Sequence, residues 1–181
     1  MIYLFLADGF EETEAIVPLD ILKRVEVGVT TVGIGGRAVV GAHGIAVGAD
    51  FADSEMPIPD DIDGVILPGG MPGTLNLEKS EFVRACVKKA AENGKLIAAI
   101  CAAPSILGRM GLLCGKKATC FDGFEGFLEG AEFVDDLCVV DGNVITARGA
   151  GAALEFGFAI AEHFVGKGEA ELTRKAMKCR K

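Results

Sequence analysis

No apolar run in this chain approaches the roughly 18 residues that a bilayer-spanning helix needs. Positive charge is scarce as well: 18 Lys and Arg stand against 26 Asp and Glu, for a net charge of -8. A surface that tracks nucleic-acid phosphates or attaches to an anionic membrane is therefore not expected. Histidine is limited to His43 and His163, and no Cys-x-x-Cys pair occurs. Zinc-type spacing and a thioredoxin-type dithiol both lack support, and neither a metal nor a cofactor is expected. The apolar run Ile2 to Ala7 has no positively charged leader and stops at Asp8-Gly9, so it reads as a first strand rather than a signal peptide. Without a secretion signal, Cys86, Cys101, Cys114, Cys120, Cys138 and Cys179 are expected as reduced thiols in a cytoplasmic protein. Any cysteine chemistry is then that of a single thiol.

What is present is a good core. Half of the 181 residues are hydrophobic, enough for one domain over 1–181 with a charged tail at 167–181. Strand-length apolar runs alternate with helical periodicity: a strand at Ile2 to Ala7, a helix at Glu11 to Val25 and a strand at Val27 to Ile34. Arg37 to Asp53 reads as a hairpin or an edge excursion, and Gly64 to Leu67 as a core strand ending at Pro68-Gly69-Gly70. A helix is expected over Leu77 to Glu92, a strand over Lys95 to Ile100, and a helix from Pro104 to about Met110. Phe124 to Gly130 reads as a short helix, Leu137 to Val140 and Asn143 to Ala147 as strands about an Asp141-Gly142 turn, and Ala152 to Val165 as a long helix. This alternation predicts an α/β fold: a doubly wound, mostly parallel sheet with helices on both faces. Ligands of such sheets sit beyond the carboxyl ends of the strands. Asp8 to Glu14, Gly69-Gly70 and Cys101 all fall at that edge.

Cys101 follows a buried strand and precedes a helix. Such a corner turns the sulfur toward unpaired helix amides and the positive end of the helix dipole, which favour a thiolate. Amides of Ala102 and Ala103, with a glycine pair nearby, would let a small oxyanion lie between Cys101 and Gly69-Gly70. The residues also admit the other reading, a small buried hydrophobe, as most free cysteines are.

Four motifs then act together: Glu11-Glu12-Thr13-Glu14 running on to Pro18-Leu19-Asp20, Leu67-Pro68-Gly69-Gly70, Ala98-Ala99-Ile100-Cys101-Ala102-Ala103-Pro104, and Thr146-Ala147-Arg148-Gly149-Ala150-Gly151. In this order, and over Ile2 to Val165, the chain resembles the ThiJ/PfpI superfamily, in the branch of a small parkinsonism-associated redox protein and its bacterial relatives. The resemblance implies a flavodoxin-like sandwich, usually a homodimer. It implies Cys101 as nucleophile, Glu14 as the carboxylic acid hydrogen-bonded to it, and the amides of Gly70 and Ala102 as an oxyanion site. It also places Arg148 in the pocket, with Arg24 reaching it from a dimer partner. A carboxyl beside a thiolate should be held protonated by burial and like charge, which suits Glu14 as a donor. A solvated helix-start acid is expected at Glu11 or Glu12. His43 is read as a hairpin-surface residue, with contact to an anionic ligand as the alternative, and His163 as a helix-face residue.

One departure matters. Where many superfamily members carry a histidine downstream of the cysteine, this chain has Phe121 after Cys120. Phe121 walls the pocket but moves no proton, which disfavours protease or amidotransferase chemistry. Two functions remain open. One is a glyoxalase or deglycase acting on a small carbonyl substrate or a modified protein through Cys101 and Glu14. The other is a redox sensor or chaperone switched by Cys101 oxidation. A peptidase or small-molecule hydrolase is the weaker third. The remaining cysteines read as packing, loop or tail residues.

Overall fold

The computed structural model describes residues 1–179. Its elements run β1 (Ile2–Leu6), α1 (Glu12–Arg24), β2 (Val29–Gly33), β3 (Ala38–Val40), β4 (Ala46–Gly48), β5 (Phe51–Ala52), β6 (Gly64–Leu67), α2 (Gly73–Lys79) and α3 (Glu81–Glu92). They continue with β7 (Leu96–Ile100), α4 (Pro104–Arg109), β8 (Lys117–Ala118), β9 (Glu132–Phe133), β10 (Cys138–Asp141), β11 (Val144–Ala147) and α5 (Ala153–Ala176). The main sheet has the order β10-β11-β7-β6-β1-β2-β5. All its pairs are parallel except β10 with β11. The expected doubly wound, flavodoxin-like α/β architecture is present.

Side-chain alternation explains the layers. Along β1, Ile2, Leu4 and Leu6 face a core shared with Phe10, Ile21 and Leu22 near α1 and with Phe156 and Ile160 of α5. Tyr3 and Phe5 face the opposite core, with Leu77, Val83, Val87, Ile106 and Leu107. In β7, Leu96, Ala98 and Ile100 join the first core and Ile97 and Ala99 the second. A strand buried on both faces must be apolar at every position, and a period of two sorts its residues between the layers. The neighbours β11, β7, β6 and β1 therefore release their chains at one edge, into Arg148, Cys101, Pro68 and Ala7.

Several local expectations change. The helix expected over Leu77 to Glu92 is two helices, because Ser80 takes an extended conformation and its Oγ accepts from the Val83 N–H, ending α2 and starting α3. The region from Arg37 to Asp53 supplies both the β3–β4 hairpin and the edge strand β5 beside β2. The short helix expected over Phe124 to Gly130 shrinks to a 3-10 turn at Glu125–Phe127.

The charged tail expected from Lys167 is helical through Ala176, after a break at Gly166, whose φ is 79°. Arg174 lies 3.7 Å from Glu155 and 4.1 Å over the Phe158 ring, so charged residues of this segment are tied to the body of the protein. Arg180 and Lys181 of that tail lie outside the described residues. Among the described residues no helix is long and apolar enough to cross a membrane.

Candidate active site

Cys101 stands immediately after β7 with φ 65°, in the left-handed region that non-glycine residues avoid. Such a conformation costs on the order of 1–3 kcal/mol and persists where the surroundings enforce it. Here the Cys101 N–H donates to the Ala147 carbonyl and the Cys101 carbonyl accepts from the Phe121 N–H, both at 2.8 Å. The main chain is thus clamped from β11 on one side and from the segment after β8 on the other. The amides of Gly70 and Ala102 are directed at the sulfur.

Glu14 reaches the same point from the first turn of α1. Its Oε2 accepts from the Gly69 N–H at 2.8 Å, it shares a hydrogen bond with the Cys101 thiol, and it is 1% exposed. Its Oε1 is buried without a hydrogen-bond partner. Gly69 holds the pair together by what it lacks: a Cβ there would lie 2.6 Å from both the Cys101 Cβ and Glu14 Oε2. At Gly70 the φ of 89° calls for glycine, and the turn is held by the Glu11 N–H donating to the Gly69 carbonyl. The fold thus brings Glu14, Gly69, Gly70, Cys101 and Ala102 together from three chain segments.

The electrostatics differ from the low-pKa thiolate expected of a strand-to-helix corner. Burial pushes the Cys101 thiol up to about 12, the negative charge of Glu14 and its hydrogen bond add to the rise, and the two amides only partly oppose it. The following helix, α4, has six residues, so its dipole is small beside the loss of water. Burial likewise pushes the Glu14 carboxyl up to about 7, against the hydrogen bonds from Cys101 and Gly69. The two groups form a coupled pair that holds two protons below about pH 7 and retains one above it. The thiolate forms when that proton sits on Glu14.

The three acids opening α1 take three different tasks. Glu11 is the helix N-cap, accepting from the Glu14 N–H at 2.7 Å. Glu12 is buried and accepts from the His43 and Ile45 N–H groups and, at 2.7 Å, pairs with His43 Nδ1, so of the two candidates it is not the solvated one. Despite the burial cost, these bonds hold its carboxyl down to about 2 and raise the pKa of the exposed His43 ring. Glu11, Glu12 and His43 place potential metal-ligand atoms within 4.8 Å of one another. The Glu12 oxygens are already engaged in fastening the β3–β4 hairpin, so the group reads as a clamp.

Arg148 lies at the rim, where its guanidinium pairs with both Asp122 and Asp135, partners that sequence spacing did not reveal. Two carboxylates against one guanidinium leave this rim with no spare positive charge. Arg24 does not approach the site within its own chain: ten residues of helix, about 15 Å, separate it from Glu14, and it pairs with Asp20. A cleft of about 460 Å³ is lined by Phe121, Leu137, Arg148, Gly149, Ala150 and Ala152. Neither Cys101 nor Glu14 lines it, but Gly149 does, and a Cβ at Gly149 would lie 3.8 Å from Glu14 Oε1. A larger cleft of about 530 Å³, between Asp8, Ile34, Asn76 and Phe82, also lacks both residues and contains no glycine whose Cβ would approach Glu14. Among the other thiols, burial raises Cys86 and Cys120 to about 11 and Cys138 to about 12, and all six cysteines are free.

A doubly wound sheet with a strained cysteine at its carboxyl edge and a buried acid beside it defines a class of cysteine-elbow α/β proteins. The DJ-1/PfpI family model matches residues 1–163, and the chain belongs to that family. It is 37% identical to Protein dj-1beta of Drosophila melanogaster over 96% of this chain and 94% of that one. It is 36% identical to a protein of Thermococcus kodakarensis named a deglycase, over 81% and 89% of the two chains. The crystal structure of a cysteine-to-alanine mutant of a DJ-1 superfamily protein from Salmonella typhimurium superposes with a TM-score of 0.93 at 34% identity, covering 99% of this chain and 98% of the other.

Proposed function

We propose that this protein is a cysteine-dependent glyoxalase or deglycase acting on small reactive dicarbonyls or their protein adducts. The observation that carries this reading is the division of labour on Glu14: Oε2 is held by Gly69, while Oε1 is buried, unpartnered and close to the cleft. A carboxyl fixed by one oxygen and free at the other is arranged to move a proton. The sulfur of Cys101 adds to the aldehyde carbon of an α-oxoaldehyde, and the aldehyde oxygen gains a proton to give a hemithioacetal. Glu14 takes the proton from that carbon and returns one to the adjacent ketone carbon through an enediol. The first carbon is oxidised to a thioester as the second is reduced to an alcohol, with no external oxidant. Water cleaves the thioester, releasing a hydroxy acid and the thiol. The amides of Gly70 and Ala102 flank the sulfur where negative charge develops.

The relative named a deglycase supports the substrate class. Homodimerisation, with Arg24 carried to the pocket of a second copy, is part of the same proposal, and sedimentation equilibrium checks it. The functional test is lactate formation from methylglyoxal without glutathione. It is expected in the native protein and absent in Cys101→Ala and Glu14→Gln. Turnover retained in Cys101→Ala overturns the reading.

The two amides at the Cys101 sulfur also favour a second role, retention of a sulfinate formed by peroxide. Intact-mass analysis during a peroxide titration should show a two-oxygen gain confined to Cys101. Oxidation spread over the six cysteines removes this role.

A further inference from the structure

Gly149 is a glycine without a conformational reason to be one: its φ of 163° is extended backbone that any residue adopts. Its reason is spatial. A Cβ at this position would meet the Phe121 ring at 3.3 and 3.7 Å and Glu14 Oε1 at 3.8 Å. The space between the ring and the unpartnered carboxyl oxygen is therefore about one methyl group across. Phe121 is free to define one wall, because its backbone N–H holds the Cys101 carbonyl and its half-exposed ring lines the cleft.

We infer that Gly149 and Phe121 are specificity-determining residues, forming a slot that limits the substituent on the carbonyl presented to Glu14 Oε1 to about the size of a methyl group. The inference rests on the glyoxalase reading for its substrates but not for its geometry. Bulk at the slot separates a substrate from the oxygen that must move its proton, and one carbon of misfit in a closed pocket changes kcat/KM about 10- to 200-fold.

The test compares glyoxal, methylglyoxal and phenylglyoxal as substrates of the native protein, Gly149→Ala and Phe121→Ala. Gly149→Ala fills the slot, so its kcat/KM for methylglyoxal should fall at least about tenfold relative to glyoxal. Phe121→Ala opens it and keeps the backbone N–H, so phenylglyoxal should gain at least about tenfold relative to methylglyoxal. Ratios unchanged within about twofold in both variants overturn the slot.

A parallel arm keeps this independent of turnover. The rate of Cys101 alkylation by N-benzyliodoacetamide relative to iodoacetamide, followed by mass spectrometry, should rise in Phe121→Ala and fall in Gly149→Ala. If the native protein turns over no oxoaldehyde, the functional proposal fails while the alkylation ratios still decide the slot. Unchanged alkylation ratios in that case overturn the slot as well. Circular dichroism confirms that each variant is folded before its rates are compared.

Discussion

Glu14→Gln removes the one carboxyl of the site whose proton is held by burial, and the consequence for stability has a defined sign. The folded-state pKa of Glu14 is raised from 4.5 to about 7, first by burial, so the folded protein binds this proton more tightly than the unfolded chain. The stabilisation is fully present below pH 4.5 and is lost as pH rises through about 7. The difference, 7 - 4.5, is about 2.5 pH units at about 1.4 kcal/mol each, or about 3 kcal/mol. Glutamine can still accept from the Gly69 N–H but cannot ionise. The native protein should therefore lose most of that stability between about pH 5 and about pH 8, and Glu14→Gln should not. Urea unfolding midpoints across this range measure it, with m-values compared to confirm the same transition. His43, whose pKa is raised by Glu12, also loses stabilisation as pH rises, but it is common to both proteins and cancels in their difference. Parallel pH curves for the two proteins refute the assignment of a buried, protonated Glu14.

Glu14→Gln should also shift the pH profile of Cys101 alkylation downward, since it deletes the like charge and hydrogen bond that hold the thiol up; an unmoved profile contradicts the coupling. Gly69→Ala should cost about 1–3 kcal/mol by urea unfolding and slow Cys101 alkylation, because its Cβ would overlap the Cys101 and Glu14 side chains. Glu12→Gln should loosen the β3–β4 hairpin, seen as faster amide hydrogen exchange at His43 and Ile45. The native protein should lose more stability than Glu12→Gln as pH falls from 4.5 toward about 2, the range over which Glu12 is protonated, because the lowered Asp50, Glu55, Asp60 and Asp63 are common to both. Replacing Asp122 and Asp135 together by Asn should free the Arg148 charge and raise Cys101 modification by iodoacetate relative to iodoacetamide, an effect that added salt should weaken.

The sequence by itself determined the sheet and the edge of it that carries Cys101 and the Gly69-Gly70 turn. Runs such as Ile2 to Leu6 and Leu96 to Ile100 are apolar at successive positions, and only a strand covered on both faces satisfies that pattern. Glycines at Gly69 and Gly70 and a cysteine just after a strand marked where the backbone must bend, because those signals are local. Ser80 carried a local signal too, as a helix cap inside a run of helical period, but the periodicity on either side masked it.

What the tertiary structure decided depends on contacts between distant segments. That Glu14 rather than Glu11 or Glu12 meets Cys101 follows from the rotation of α1 against the glycine turn after β6. The pairing of Glu12 with His43 spans 31 residues, and Arg148 finds Asp122 and Asp135 across two loops. The state of the Cys101 thiol was also beyond the sequence. A helix start argues for a thiolate, yet burial beside a second acid outweighs it, because removal from water acts on the whole charge while a short helix offers only a few amides.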